Sequence, residues 1–346
     1  MVKRTLSRRD MVKGLAVAPL LTGVPLLTGA GLMSERVATG QALQTGPGGD
    51  GRLMDGWDEN PPHTRKVLIA WGDHQGIGHS STSHAQSVLE RIGYESGIYD
   101  TFILSDSAMI KYTTPPTTPG QRTNQGLLDV AHCIFFNGQR AVNLSEQGKI
   151  DLMKWIRGGG GFVASHQALT AFSEEWPEFE EMIGGFFFGH PWSGHDALAH
   201  VINEDPKFPA TEFMPPQFYF DDEYYGVKNL DRNKAHVILR MDVSQLPARH
   251  AYMGKDNDLP IAWAKMHGKG RVFYSQFGHS NRVWDDSDVQ RHYFEAIKWA
   301  MGLTSADLTP MPLPKGLKGP STPPATTPTP TSHPGWGDDP PGGIIL

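Results

Sequence analysis

Residues 158–168 (GGGGFVASHQA) narrow the folds open to this chain more than any other stretch. Four glycines lead into an apolar run, residues 162–164, that stops at Ser165 and His166, where a helix-like segment begins. A short apolar run bounded by glycine, with no polar alternation, reads as a parallel strand buried on both faces. Open α/β sheets bind their ligands beyond the carboxyl ends of such strands. His166 therefore either faces a cleft or hydrogen-bonds the tight turn it occupies.

The flanking chain repeats the pattern. Residues 67–71 (VLIAW), 98–104 and 132–136 (HCIFF) read as further strands. Between them Ala85, Val88, Leu89 and Ile92 share one helical face, with Gly93 as the expected C-terminal cap. A second helix starts at Ser145 as N-cap and carries Ile150, Met153 and Ile156 on one face. Strand–helix alternation of this kind predicts an α/β fold with a doubly wound, mostly parallel central sheet. Residues 113–120 (TTPPTTPG) read as a surface excursion. In the second half, residues 199–202, 217–220, 236–239, 261–264 and 272–275 are short strand candidates, and residues 287–301 form a closing helix. No G-x-G-x-x-G follows the first strand, so a nucleotide cofactor is not expected.

The two ends differ from the middle. Residues 1–42 combine twin arginines, Arg8 and Arg9, with an uncharged stretch over 14–33. This is the pattern of a twin-arginine signal peptide, with a transmembrane anchor as its rival. Pro19 and Pro25 make that stretch a poor spanning helix. The expectation is export to the periplasm or the cell exterior through the twin-arginine machinery, with no stable membrane anchor after processing. Residues 43–65 read as a linker, 66–303 as the folded domain and 304–346 as a disordered Pro/Thr/Gly-rich tail. A formal charge of −6 gives no basic field for nucleic acid. One cysteine, Cys133, rules out an intrachain disulfide framework and a Cys-based zinc cluster.

Polar residues recur just beyond the apolar runs. His74 and His79 follow the first strand, His166 follows the fourth, Asp221–Glu223 follow QFYF, and His279 follows VFYSQF. Such positions gather at one edge of a sheet, where imidazoles and carboxylates suit either divalent-metal binding or proton transfer. Trp71, His190, Trp192, Asp222 and Tyr224 are the candidates for holding a substrate, the aromatic rings by stacking on a sugar. His195 lies in the same loop as His190. Ser165 lacks a G-x-S-x-G setting, and Cys133 sits inside an apolar strand as an inert thiol.

Five blocks in order, GGGGFVASHQALTAF, EMIGGFFFGHP, DDEYYGV, LPIAWAKMHGKGRVFYSQFGHS and RHYFEAIKWAMG, resemble the ThuA-like (trehalose utilisation) family. That resemblance implies a flavodoxin-like, class I glutamine amidotransferase-like sandwich. It puts His166 near the amidotransferase nucleophile's place, and with no cysteine there glutamine hydrolysis by that route is excluded. Members occur beside sugar-oxidising dehydrogenases, which implies a carbohydrate substrate, a disaccharide or its 3-keto derivative. Block matching carries His79, His166, Glu223 and His279 over as the site. The segment GDHQG before His79 and the long tail depart from the family pattern. The expected activity is acid–base, metal-assisted isomerisation, elimination or hydrolysis. His166 and Glu223 are the expected catalytic groups. His79 and His279 would hold a zinc-like divalent ion, with His166 or Glu223 as further ligands. The alternative is a non-catalytic carbohydrate-binding or accessory protein. Alanine at position 166 is expected to abolish turnover with little change in thermal unfolding.

Overall fold

The computed structural model describes residues 65–319, except 76–77, 120–122, 141, 173–174, 191–196 and 247–255. The expected leader, Trp192, His195 and the tail from residue 320 lie outside the described residues. The first half contains β1 (Lys66–Trp71), β2 (His74–Gln75), α1 (Ser81–Ser96), β3 (Tyr99–Leu104), β4 (Cys133–Phe136) and β5 (Gln139–Arg140). Next come α2 (Glu146–Gly158), β6 (Gly161–Ser165), a 3-10 turn (His166–Thr170), α3 (Pro177–Ile183), β7 (Phe186–Gly189) and β8 (Ala197–Asn203). The remainder is β9 (Gln217–Asp222), β10 (Gly226–Lys228), β11 (His236–Met241), β12 (Pro260–His267), β13 (Gly270–Ser275), α4 (Asn281–Asp285) and α5 (Ser287–Ala300).

Nine strands form one sheet in the order β3-β1-β4-β6-β13-β12-β11-β8-β9. The pairs from β3 to β13 are parallel. Those from β13 to β9 are antiparallel. The sheet is thus mixed: the strands of the second half extend its parallel core through short reversals, which antiparallel pairing permits and parallel pairing does not. Successive side chains of the core strands point to opposite faces and are buried on both. Leu68, Ala70, Phe135 and Val163 join one apolar cluster with Ala85 and Leu89 of α1 and Tyr293 and Ile297 of α5. Ile69, Trp71, Phe136 and Phe162 join the other with Leu152 and Ile156 of α2 and Phe179 of α3. Each fully buried side chain of this size stabilises the fold by roughly 1.5–3 kcal/mol.

Three local expectations change. Helix α1 runs past Gly93 to Ser96, and Gly97, at φ +69°, is the left-handed cap. Gly93 is instead a point of close approach: a methyl there would lie 2.2 Å from the Tyr99 ring and 2.8 Å from its carbonyl oxygen. Gly93→Ala should therefore cost about 1–3 kcal/mol in urea unfolding, despite alanine's helix preference of about 1 kcal/mol. A gain in stability would show that the helix and β3 can separate freely. Ile150 is 61% exposed, because α2 buries Leu152, Met153, Trp155 and Ile156 and turns Ile150 outward. Ser145 does cap α2, accepting from the Gly148 N–H at 3.0 Å. Residues 304–319 contain neither helix nor strand, yet they are tied to the domain. Ala306 and Leu308 pack on its core, and His236 Nδ1 donates to the Thr309 carbonyl at 2.8 Å.

Candidate active site

Four side chains converge beyond one edge of the sheet. His79 lies between β2 and α1, and His166 begins the turn after β6. Glu223 follows β9, and His279 lies between β13 and α4. One ligand atom from each falls within 4.8 Å of all the others. Glu223 Oε2 is the shared neighbour, at 3.2 Å from His166 Nε2, 3.8 Å from His279 Nε2 and 3.9 Å from His79 Nε2. The imidazole centroids are 4.9–5.3 Å apart.

Hydrogen bonds behind the cluster fix how each ring is presented. His166 is fully buried at φ +36°, a region unfavourable for a side chain with a Cβ. The Tyr274 hydroxyl donates to its carbonyl at 2.8 Å, and its Nδ1 donates to the Gln276 carbonyl at 2.8 Å. A neutral His166 ring therefore carries its lone pair on Nε2, which accepts from the Tyr225 hydroxyl at 2.8 Å. His79 Nδ1 pairs in the same way with Gln139 Oε1 at 2.7 Å, which turns its Nε2 toward Glu223. Asp222 anchors the loops, accepting from the backbone N–H groups of Gly278 at 2.8 Å, Glu223 at 2.9 Å and His279 at 3.2 Å. The Gln276 side chain clamps Tyr225, accepting from its N–H at 2.6 Å and donating to its carbonyl at 3.1 Å.

Burial pushes the His166 imidazole down to about 4, with His79 and His279 acting the same way against the pull of Glu223. Burial favours the neutral acid of Glu223, but the His166 and His79 imidazoles, with His279, hold it well below the usual carboxylate range. Burial and the nearby Glu223 raise the Tyr225 hydroxyl well above its ordinary value, which keeps it a donor. Imidazoles that carry a proton toward Glu223 hold it ionised in this way; neutral rings with lone pairs inward would repel it at these separations unless a cation lay among them. The donor set, three imidazoles and one carboxylate, is the nitrogen–oxygen chemistry that divalent ions such as zinc accept. An imidazole that holds a metal commonly gives its other nitrogen to a second partner, and the Gln276 carbonyl and Gln139 side chain would play that part for His166 and His79.

Several sequence expectations need correction. Trp71 is fully buried, 4.4 Å from the Phe136 ring, and offers no face to a sugar. Tyr224 is 1% exposed and donates to the Phe220 carbonyl. Asp222 is fully buried on backbone N–H groups, so it shapes the site rather than touching a substrate. Alanine at 166 would strand the Tyr225 hydroxyl and the Gln276 carbonyl, so lost stability is expected where the sequence suggested none. His190 borders the cluster, its Nδ1 3.6 Å from Glu223 Oε1. Tyr225, Gln139 and Gln276 were not anticipated. Gln276 stands just beyond β13, the same signal that marks His166, whereas a tyrosine between another tyrosine and a glycine reads as core.

The family model described as ThuA, trehalose utilisation, matches residues 66–300. Two solved structures share the fold. A ThuA-like protein from Bacteroides uniformis is 20% identical, with a TM-score of 0.53 over 68% of this chain and 91% of its own. One from Parabacteroides merdae is 17% identical, with a TM-score of 0.51 over 75% of this chain and 96% of its own. No functionally curated protein matches the chain. With a helix-flanked α/β sheet in place and the family match running from its first strand to its last helix, this chain belongs to the ThuA family, whose description ties it to carbohydrate utilisation.

Proposed function

We propose that this protein is an exported enzyme acting on a disaccharide or related glycoside whose ring carries a carbonyl, a 3-keto-glycoside. The observation that carries this reading is the convergence of His79, His166, Glu223 and His279, with nitrogen lone pairs and a carboxylate oxygen turned inward. Family membership supports a carbohydrate as the substrate. The twin arginines at Arg8 and Arg9, before an uncharged stretch, support passage through the twin-arginine machinery to the periplasm or beyond.

A ring carbonyl acidifies the neighbouring C–H bond, so one well-placed base suffices to start isomerisation or elimination of the glycosidic oxygen. His79, His279, Glu223 and, once the ion replaces the Tyr225 hydroxyl at its Nε2, His166 are the residues that would hold a divalent ion. Such an ion supplies Lewis-acid polarisation of a carbonyl oxygen. General acid–base assistance contributes about 10²–10⁴-fold, so polarisation is needed beside it. Buried Tyr225 keeps His166 Nε2 oriented, and the Asp222 anchors hold the loops bearing Glu223 and His279 together.

The test compares oxidised with unoxidised disaccharides, using protein as purified, after chelation, and after return of zinc, cobalt or manganese. Conversion of the keto sugars alone, lost on chelation and restored by metal, is the expected result. Sugar binding without conversion under every condition would instead identify an accessory protein.

A further inference from the structure

We propose that His190 is the base of this site, its Nε2 taking the C–H proton beside the ring carbonyl while Glu223 fixes the tautomer that makes this nitrogen available. This role rests on the reading of the site given above and supplies the base it needs. The clustered imidazoles are poorly placed for it. His166 is fully buried, with Nδ1 held by the Gln276 carbonyl and Nε2 by the Tyr225 hydroxyl. His79 and His279 both turn Nε2 toward Glu223 Oε2.

His190 stands just past the end of β7, outside that group. Its Nδ1 is sealed from solvent, has no hydrogen-bond partner among the described residues, and lies 3.6 Å from Glu223 Oε1, the oxygen turned away from the clustered rings. At 3.6 Å no hydrogen bond is formed, but the negative oxygen favours a proton on the nitrogen that faces it, so a neutral His190 keeps its proton on Nδ1 and its lone pair on Nε2. The side chain is 41% exposed while Nδ1 is sealed, so its exposure lies on the other side-chain atoms, of which Nε2 is the only polar one. Edge-on contacts with Phe187 at 5.3 Å and Tyr225 at 5.2 Å restrict rotation of the ring. A carboxylate behind one imidazole nitrogen and a reachable lone pair on the other is the arrangement that makes histidine an effective base.

The step balances without a further reagent. Nε2 takes the proton from the carbon lying between the carbonyl and the anomeric carbon. The electron pair of that C–H bond is delocalised into the carbonyl, then forms a C=C bond to the anomeric carbon as the glycosidic C–O bond breaks. The departing oxygen takes the proton from His190. An unsaturated keto sugar and an alcohol result, with no net oxidation or reduction.

The experiment uses metal-loaded full-length protein and a 3-keto-glycoside in D2O, following cleavage and deuterium entry at the C–H position by mass spectrometry. His190→Gln and His190→Ala should each lose about 10²–10⁴-fold in both readouts while keeping wild-type metal content and melting temperature. Free imidazole should restore part of the activity of His190→Ala, whose missing ring left an accessible space, and none to His166→Ala. Wild-type exchange in His190→Gln, or no effect of imidazole on His190→Ala, would overturn the assignment. A wild-type protein inert toward every keto-glycoside would overturn the reading of the site itself, and His190's role with it.

Discussion

Glu223→Gln should bind Zn²⁺ or Co²⁺ about 100-fold more weakly than the wild type, or worse, while the metal-free variant unfolds at nearly the same temperature. The reason lies in where the charge sits. Glu223 Oε2 is the one atom common to all three imidazoles, at 3.2, 3.8 and 3.9 Å from their Nε2 atoms. Three neutral imidazoles and an amide carry no compensating negative charge for a divalent ion. Loss of an outer partner of a ligand costs 10–100-fold in affinity at other metal sites, and loss of the ligand itself should reach or pass the upper end. Stability should respond differently. In metal-free protein the 7%-exposed carboxylate faces imidazole lone pairs, and an amide N–H can donate to one of them, so the substitution relieves repulsion as it removes charge. Calorimetric titration reads the affinity. Thermal unfolding gives a second readout, because metal at 100 times its dissociation constant stabilises the wild type by about 2.7 kcal/mol. The variant at the same concentration should gain far less. Equal metal affinity in Glu223→Gln would mean that metal binds elsewhere and that the four side chains meet for another reason.

The parts of this site that the sequence made legible are those governed by strand position. His166, Glu223 and His279 each follow an apolar run, and the rule that sheet strands present ligands beyond their carboxyl ends was enough to bring them together. The direction of β9 illustrates its reach: four antiparallel steps from β13 return it to the same polarity, so Glu223 leaves the sheet at the edge used by His279. What stayed hidden depends on which face a side chain takes. Trp71 at the end of β1 reads equally well as a platform or as core, and only the register that sends it toward Phe136 and α2 decides for core. Neighbouring Tyr224 and Tyr225 are indistinguishable as letters. One donates to the Phe220 carbonyl inside the core and the other to His166 in the site, a difference of one position in the connection between β9 and β10. The mixed sheet was hidden for a similar reason, since a short apolar strand carries no mark of its neighbour's direction.

Stability should fall steeply between about pH 6.5 and 4, and His292 should account for a separable share of the loss. Burial pushes His292 from its ordinary 6.5 down to about 4, only partly offset by its bond to the Ala210 carbonyl, and His166 is lowered to about 4 as well. Both groups bind a proton less readily folded than unfolded, so the unfolded chain takes up protons first as pH falls. Stability is then full above the unfolded value, declines through the window, and levels off once the folded groups also protonate. Each shift corresponds to something on the order of 3 kcal/mol. His166 is coupled to Glu223 and to any bound cation, so its share cannot be isolated by substitution. His292 can be, since it sits in α5 against Phe273 and Phe277, with Nδ1 donating to the Ala210 carbonyl at 2.8 Å and Nε2 buried without a partner among the described residues. Asparagine at 292 can keep that donor and has no proton to gain. Urea unfolding of metal-free protein at pH 7.0, 5.5 and 4.5 should give His292→Asn a visibly shallower decline than the wild type, whatever its stability at pH 7. Parallel curves would mean that His292 titrates at its ordinary value in the folded chain and carries none of the loss.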